Sequence, residues 1–186
     1  MSDPVNERGN MMESLFFKRR DQALLQKIRD NRKNQELIDQ LTDASGIKDT
    51  VALEALIKAG VTADSLTALV MIPLVTVAWA DREMQDNERA AILTAADTAG
   101  IAKDSAASEL LSGWLGEQPN AELLDAWKSY IAAVKQTADE SAFAQLKTTA
   151  LGTAKAVAES AGGILGFGNK TSDAEQKVLD DLASAF

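Results

Sequence analysis

Three times in this chain a glycine and then an aliphatic residue follow an apolar-periodic segment: Gly46–Ile47, Gly60–Val61 and Gly100–Ile101. This is the pattern of a helix stop in which glycine takes the left-handed conformation and the next residue packs back on the helix it ends. Residues able to open a new helix follow each stop. Asp49, Thr62 and Asp104 carry side-chain oxygens that can accept from free N–H groups. Thr137-Ala-Asp-Glu140 and Ser172-Asp-Ala-Glu175 have the spacing of capping boxes. Prolines number only three, and alternating Val-, Thr- and Tyr-rich runs are missing, which argues against sheet.

The spacing predicts helices near 12–33, 35–45, 50–59, 63–81, 86–99, 104–115, 120–136, 138–161 and 172–185. With 46% hydrophobic residues in a chain of 186, one well-buried core is expected. We assign an all-α fold of packed helical hairpins over residues 49–186, preceded by a mixed-charge N-terminal helical arm over residues 1–48. Pro73 falls inside the most apolar predicted helix, where it would remove the bond to the Leu69 carbonyl and kink the chain. Alanines 150, 154, 158 and 161 form a narrow stripe suited to close helix contact.

Cysteine and histidine are both absent. That excludes a thiolate nucleophile, a Ser–His–Asp triad and an imidazole zinc site. Any metal must be held by oxygen, which selects hard cations such as Mg2+, Ca2+ or Mn2+. A chain without disulfides fits a reducing cytoplasm, and the polar start MSDPVNERGN lacks the apolar core of a signal peptide. The most apolar run, Leu66 to Ala80, would span about 22 Å as a helix, short of a bilayer's ~30 Å. Charge is unevenly spread: residues 1–48 carry a net +1 and residues 49–186 a net −10. The body should repel nucleic acid and attract cations.

The stretch AESAGGILGFGNKTSDAEQKVL, residues 158 to 179, comes within one residue of a phosphate-binding loop. Asn169 is inserted before Lys170, which spoils the register by which successive N–H groups and the lysine converge on phosphates. An alanine-rich helix precedes it where a buried strand is required. Gly162, Gly163, Gly166 and Gly168 are therefore read as a helix connector, with Ile164, Leu165 and Phe167 plugging the core.

AWADREMQDNERAAIL, residues 78 to 93, is the stronger candidate. Asp81, Glu83, Asp86 and Glu88 gather four carboxylates where the most apolar segment ends and the next helix begins. Read as a calcium loop from Asp81 it fails, because Asp86 stands where glycine is required and Ile92 where a bidentate glutamate belongs. Two readings stay open: Asp86 and Glu88 favour the positive end of their helix while Asp81 and Glu83 are solvated, or the four form a cation site.

VTVAWADREMQDNERAAILTAADTAGI resembles the signature of the TerB-like, tellurite-resistance-associated helical proteins, an apolar helix followed by A-D-G-x-[VIF]-x-x-x-E and a second amphipathic helix. Ala80 and Asp81 match its first two positions, Met84 its apolar position and Glu88 its glutamate; Arg82 replaces the glycine. WLGEQPNAELLDAWKSYI and AESAGGILGFGNKTSDAEQKVLDDL are similar to segments of chains that carry this signature, so the resemblance covers most of residues 62–186. It implies an all-helical fold with an acidic surface cluster that binds a divalent cation, Ca2+ or Mg2+ at Asp81, Glu88, Asp86 and Glu83, and it implies no reaction. There is also an internal echo. Placing Glu88 on Glu175 puts Asp86 on Asp173, Ile92 on Leu179 and Gln85 on Ser172, as in two helical hairpins packed together with any cation site in the first copy.

SLFFKRRDQALLQKIRDNRK, residues 14 to 33, sets Phe17, Leu24 and Ile28 on one face beside seven basic and two acidic side chains. Such a helix covers the protein's own acidic body, docks on an acidic partner or lies on an anionic membrane, the last being the least favoured reading. Trp79, Trp114, Trp127 and Tyr130 fall in apolar-periodic helices and are expected in the core. The expected function is a cytoplasmic, non-enzymatic, stress-linked module whose acidic turn binds a divalent cation or a basic partner surface. The alternatives are a metal-independent scaffold acting through the basic N-terminal helix, and a carboxylate-only hydrolase with Asp81 and Glu88 as its acid–base pair.

Overall fold

The computed structural model describes residues 4–161 and 171–186, and the regular structure among them is helical, without strands. The order is α1 (Pro4–Ser45), α2 (Thr50–Lys58), a 3₁₀ helix (Ala63–Met71), α3 (Ile72–Ala78), α4 (Asp86–Thr98), α5 (Ala106–Gly116), α6 (Ala121–Thr137), α7 (Glu140–Ala161) and α8 (Asp173–Ser184). The chain is all-α, as its punctuation predicts. It forms two compact units, Met1–Asp39 and Gln40–Phe186. The glycine connector and its plugging residues Ile164, Leu165 and Phe167 lie outside the described residues.

The helices expected at 12–33 and 35–45 are one continuous helix, Pro4–Ser45. No glycine or proline separates them, and Gln35 Nε2 donates to Asp39 Oδ1 across the next turn at 2.9 Å, as Gln26 does to Asp30. Leu24 and Ile28 are 57% and 50% exposed. The Phe17 side chain lies outside the described residues.

In the second unit the helix stops follow the expected chemistry, with one variation. After α2, Gly60 (φ 82°) donates to the Ile57 carbonyl and Val61 to that of Leu56, both at 3.0 Å. After α4, Gly100 (φ 78°) and Ile101 repeat the pattern onto Asp97 and Ala96. These are Schellman closures, and both aliphatic residues are buried. At Gly46 the second backbone bond is replaced: the Ile47 amide donates to Ser45 Oγ at 3.1 Å.

Helix starts shift where a better acceptor lies next door. Asp49 caps α2, accepting from Val51 and Ala52. Ser105, not Asp104, caps α5. Asp139 Oδ1 accepts from the Ala142 amide at 2.9 Å, so the capping box expected from Thr137 does not open α7. Thr137 still belongs to α6, and its hydroxyl donates back to the Val134 carbonyl.

At the centre lies α3, a seven-residue helix without a charged side chain, buried everywhere except at the half-buried Thr76. Thr76 satisfies its own hydroxyl by donating to the Ile72 carbonyl at 2.7 Å. Around α3 pack the 3₁₀ helix, α4, α6, α7 and α8. The single kinked helix expected over 63–81 is instead a 3₁₀ helix passing into a short α-helix. The Ile72 amide donates to the Leu69 carbonyl, so Pro73 sits in the first turn of α3, where its missing N–H costs no intrahelical bond. No kink is required. The alanine stripe does what its width suggests, since α7 lies against α3 and α4 with Ala154 and Ala158 fully buried.

Of the aromatic residues expected in the core, Trp114 and Trp127 are buried, while Trp79 and Tyr130 are half-buried. Trp79 Nε1 donates to the Trp114 carbonyl at 2.8 Å. Trp127 meets the Phe186 ring edge-on at 5.6 Å, and Lys128 pairs with Asp181 at 2.6 Å, joining α6 to α8 and the chain end. Among the described residues no single helix is long and apolar enough to cross a membrane; Thr50–Lys58 and Ala63–Ala78 reach that length only as a pair bent by 84°.

This arrangement separates leucines by position. Leu74→Ala in α3, 1% exposed, should lower unfolding free energy by about 2–5 kcal/mol in chemical denaturation. Leu93→Ala in α4, 47% exposed, should cost less than about 1 kcal/mol. Equal costs at the two sites would refute the assignment of α3 as the core.

Candidate functional site

The acidic turn begins where α3 runs out. Trp79 caps the helix, its side chain fastened to Trp114 and its carbonyl accepting from Gln118 Nε2 at 3.2 Å. The Arg82 amide then donates to the same Trp79 carbonyl, closing a tight turn. Closure demands a left-handed residue, and Arg82 supplies it with φ 72°. This is the position at which the pattern in the sequence has glycine. A non-glycine residue there costs roughly 1–2 kcal/mol, and it persists because both flanks of the turn are tied down. Asp81 Oδ1 accepts from the Glu83 amide at 2.9 Å and sets the chain direction into α4.

Asp86 and Glu88 occupy the first turn of α4. Glu88 Oε2 reaches back to accept from the Gln85 amide at 2.9 Å. The same device opens α8, where Glu175 Oε2 accepts from Ser172 at 2.5 Å. The internal echo is therefore physical: each copy presents a capping glutamate, and both are buried, Glu88 2% and Glu175 6% exposed. Asn87 Nδ2 donates to the Ser160 carbonyl and ties the start of α4 to the end of α7.

Burial pushes the Glu88 carboxyl up to about 7, and the charges of Glu175 and Asp81 push in the same direction; the Gln85 amide opposes them. The fold thus brings Glu175 to Glu88, a neighbour that a cap-only reading of Ser172–Glu175 missed. The signal was present in the echo, but the sequence does not show that the two copies face one another.

Of the four carboxylates expected at this site, Asp81, Glu83 and Asp86 are exposed and only Glu88 is buried. Among the described residues no three acidic side chains gather closely enough to hold a metal ion. An oxygen cage that would strip a cation of its water does not fit this arrangement. What the turn has to offer a cation is one or two carboxylates, the requirement of a Mg2+ that keeps most of its water rather than of the six- to eight-coordinate Ca2+.

The chain matches no protein-family model, no curated protein and no solved structure.

Two tests follow from the geometry of the turn. Replacing Arg82 by glycine relieves the left-handed strain but adds chain entropy to the unfolded state, so we expect a net gain of about 0.5–1 kcal/mol in denaturant melts. Destabilisation would show that the Arg82 side chain, not its backbone, holds the turn. The second test reads Glu88 by pH. Because its carboxyl is raised from 4.5 to about 7, the folded state holds the proton more tightly than the unfolded state between those values. Its contribution is fully present below about 4.5 and is lost as pH rises through about 7. Glu88→Gln keeps an acceptor for the Gln85 amide and stays neutral, so it should match the wild type at pH 4 and exceed it by about 3 kcal/mol at pH 8.5.

Proposed function

We propose that this chain is a non-enzymatic helical module of the TerB-like kind, with a stress-linked role, whose acidic turn takes up a counter-cation. The observation that carries the proposal is Glu88. The residue is 2% exposed, and its carboxyl lies near the charges of Glu175 and Asp81. Among the described residues the one ion pair is Lys128–Asp181, remote from the turn in sequence. A buried acid near like charge is stabilised by a proton on Glu88 itself, or by a hydrated Mg2+ or a partner's basic side chain held at the exposed Asp81 beside it. The turn geometry supports the family reading, since Arg82 adopts the conformation that the pattern's glycine would adopt. Absence of cysteine supports a cytoplasmic setting.

A second reading, an interaction module acting through the basic N-terminal helix, has its own support in the exposure of Leu24 and Ile28. The hydrolase reading has less. Asp81 and Glu88 have the separated environments of an acid–base pair, but Glu88 is too covered to reach a substrate.

Thermal melting at pH 8, with and without millimolar Mg2+ or Ca2+, tests the cation. A bound ion stabilises by about 2.7 kcal/mol at a hundredfold excess over Kd. We expect Mg2+ to raise the melting temperature at pH 8 and to have no effect at pH 5.5, where Glu88 holds its proton. Asp81→Asn with Glu88→Gln should abolish the rise while leaving the metal-free protein at least as stable. No shift with any cation, together with a destabilised double variant, would reduce these carboxylates to caps and surface charges.

A further inference from the structure

Away from the acidic turn, the second unit contains a cavity of about 610 Å3, bounded by the 3₁₀ helix, α3, α4, α6 and α7. It is open to solvent on one side, where Val70 is 47% exposed. Its origin is legible in side-chain size. Ala91, Ala95 and Ala150 line it from α4 and α7, opposite Leu69, Pro73 and Trp127. The deep side is buried, with Leu69 4% and Trp127 2% exposed, while Thr94, Thr98 and Thr149 on the rim are exposed.

The chemistry of the wall narrows what fits. Among the described residues no lysine, arginine, aspartate or glutamate lines the cavity. Thr94, Thr98 and Thr153 donate their hydroxyls to the carbonyls of Ala90, Thr94 and Thr149 on their own helices, at 2.9, 2.9 and 2.8 Å. Each has spent its single donor, so towards a ligand these hydroxyls can only accept. By contrast, no hydrogen bond among the described residues engages the Tyr130 hydroxyl, which lines the same space from α6. Burial raises the Tyr130 phenol above its usual range, so it stays protonated as a donor at neutral pH.

We infer that this cavity is a binding site for an uncharged, largely apolar small molecule carrying an oxygen acceptor, with Tyr130 as its hydrogen-bonding partner. The volume falls within the ~300–1,000 Å3 of small-molecule pockets, and an apolar wall with a few polar groups is the usual composition of such sites. A charged head group placed against the half-buried Tyr130 would lose water without gaining a counter-ion, so that position selects a neutral ligand over a carboxylate of equal length. The inference is independent of the cation proposal, since neither Asp81 nor Glu88 lines the cavity.

The test is a fluorescence titration of the full chain with the neutral dye N-phenyl-1-naphthylamine, followed by competition with 1-dodecanol and with dodecanoate at pH 8. Saturable binding at one site per chain is expected, with the alcohol displacing dye at least about tenfold more effectively than the carboxylate. Ala95→Phe should fill the cavity and weaken dye binding about tenfold or more, with the helical circular dichroism unchanged. Should that variant fail to fold, Ala150→Leu serves the same purpose. Tyr130→Phe should weaken the alcohol several-fold and leave the dye unaffected. The inference is overturned by absence of saturable dye binding, by cavity-filling variants that bind dye normally, or by equal competition from alcohol and carboxylate. Displacement of the dye by a peptide of residues 12–33 would also overturn it, since the occupant would then be a protein helix.

Discussion

The centre of the second unit is one short helix, and five of its neighbours are arranged to cover it. Ile72–Ala78 has no charged residue and no face that tolerates water, so it must be enclosed from all sides. A helix of two turns cannot be stable by itself, because nucleation outweighs the few hydrogen bonds it makes. Its stability comes from the 3₁₀ helix, α4, α6, α7 and α8 packed around it. Pro73 in the first turn lets the chain switch from 3₁₀ to α geometry without an orphaned donor in the core.

The demand to enclose α3 brings the two hairpins together, and with them the two capping glutamates. Each carboxylate satisfies the amide of its own helix start, which is a local gain. Burying both near one another, with Asp81 alongside Glu88, is a tertiary cost that the local gains only partly offset. The acidic turn therefore combines a rigid backbone with an electrostatic deficit. Its left-handed residue is held at one end by Trp79 and at the other by the Asp81 side chain.

The elements differ in how far their residues foretold them. Gly60–Val61 and Gly100–Ile101 announce their closures because a Schellman motif is decided by one backbone conformation and one adjacent apolar contact. Cap identities were less secure: Ser105 and Asp139 displaced Asp104 and Thr137, because several oxygens compete within one turn and the end of the previous helix settles the choice. The run from Ala63 to Ala80 shows a different limit. Its apolar pattern identifies burial, but 3₁₀ and α geometry share nearly the same hydrophobic spacing and cannot be told apart by it.

By itself, then, the sequence determined the helical class, most helix stops, the absence of thiol and imidazole chemistry and the acidic character of the Asp81–Glu88 turn. These depend on residue type or on contacts within a few positions. Tertiary structure alone decided that Glu88 is buried while Asp81, Glu83 and Asp86 are exposed, that Glu175 lies near Glu88, and that small residues on α4 and α7 leave a 610 Å3 cavity opposite Trp127. Burial, charge–charge proximity and unfilled volume belong to pairs of surfaces distant in the chain, and no local spacing encodes which surfaces will meet.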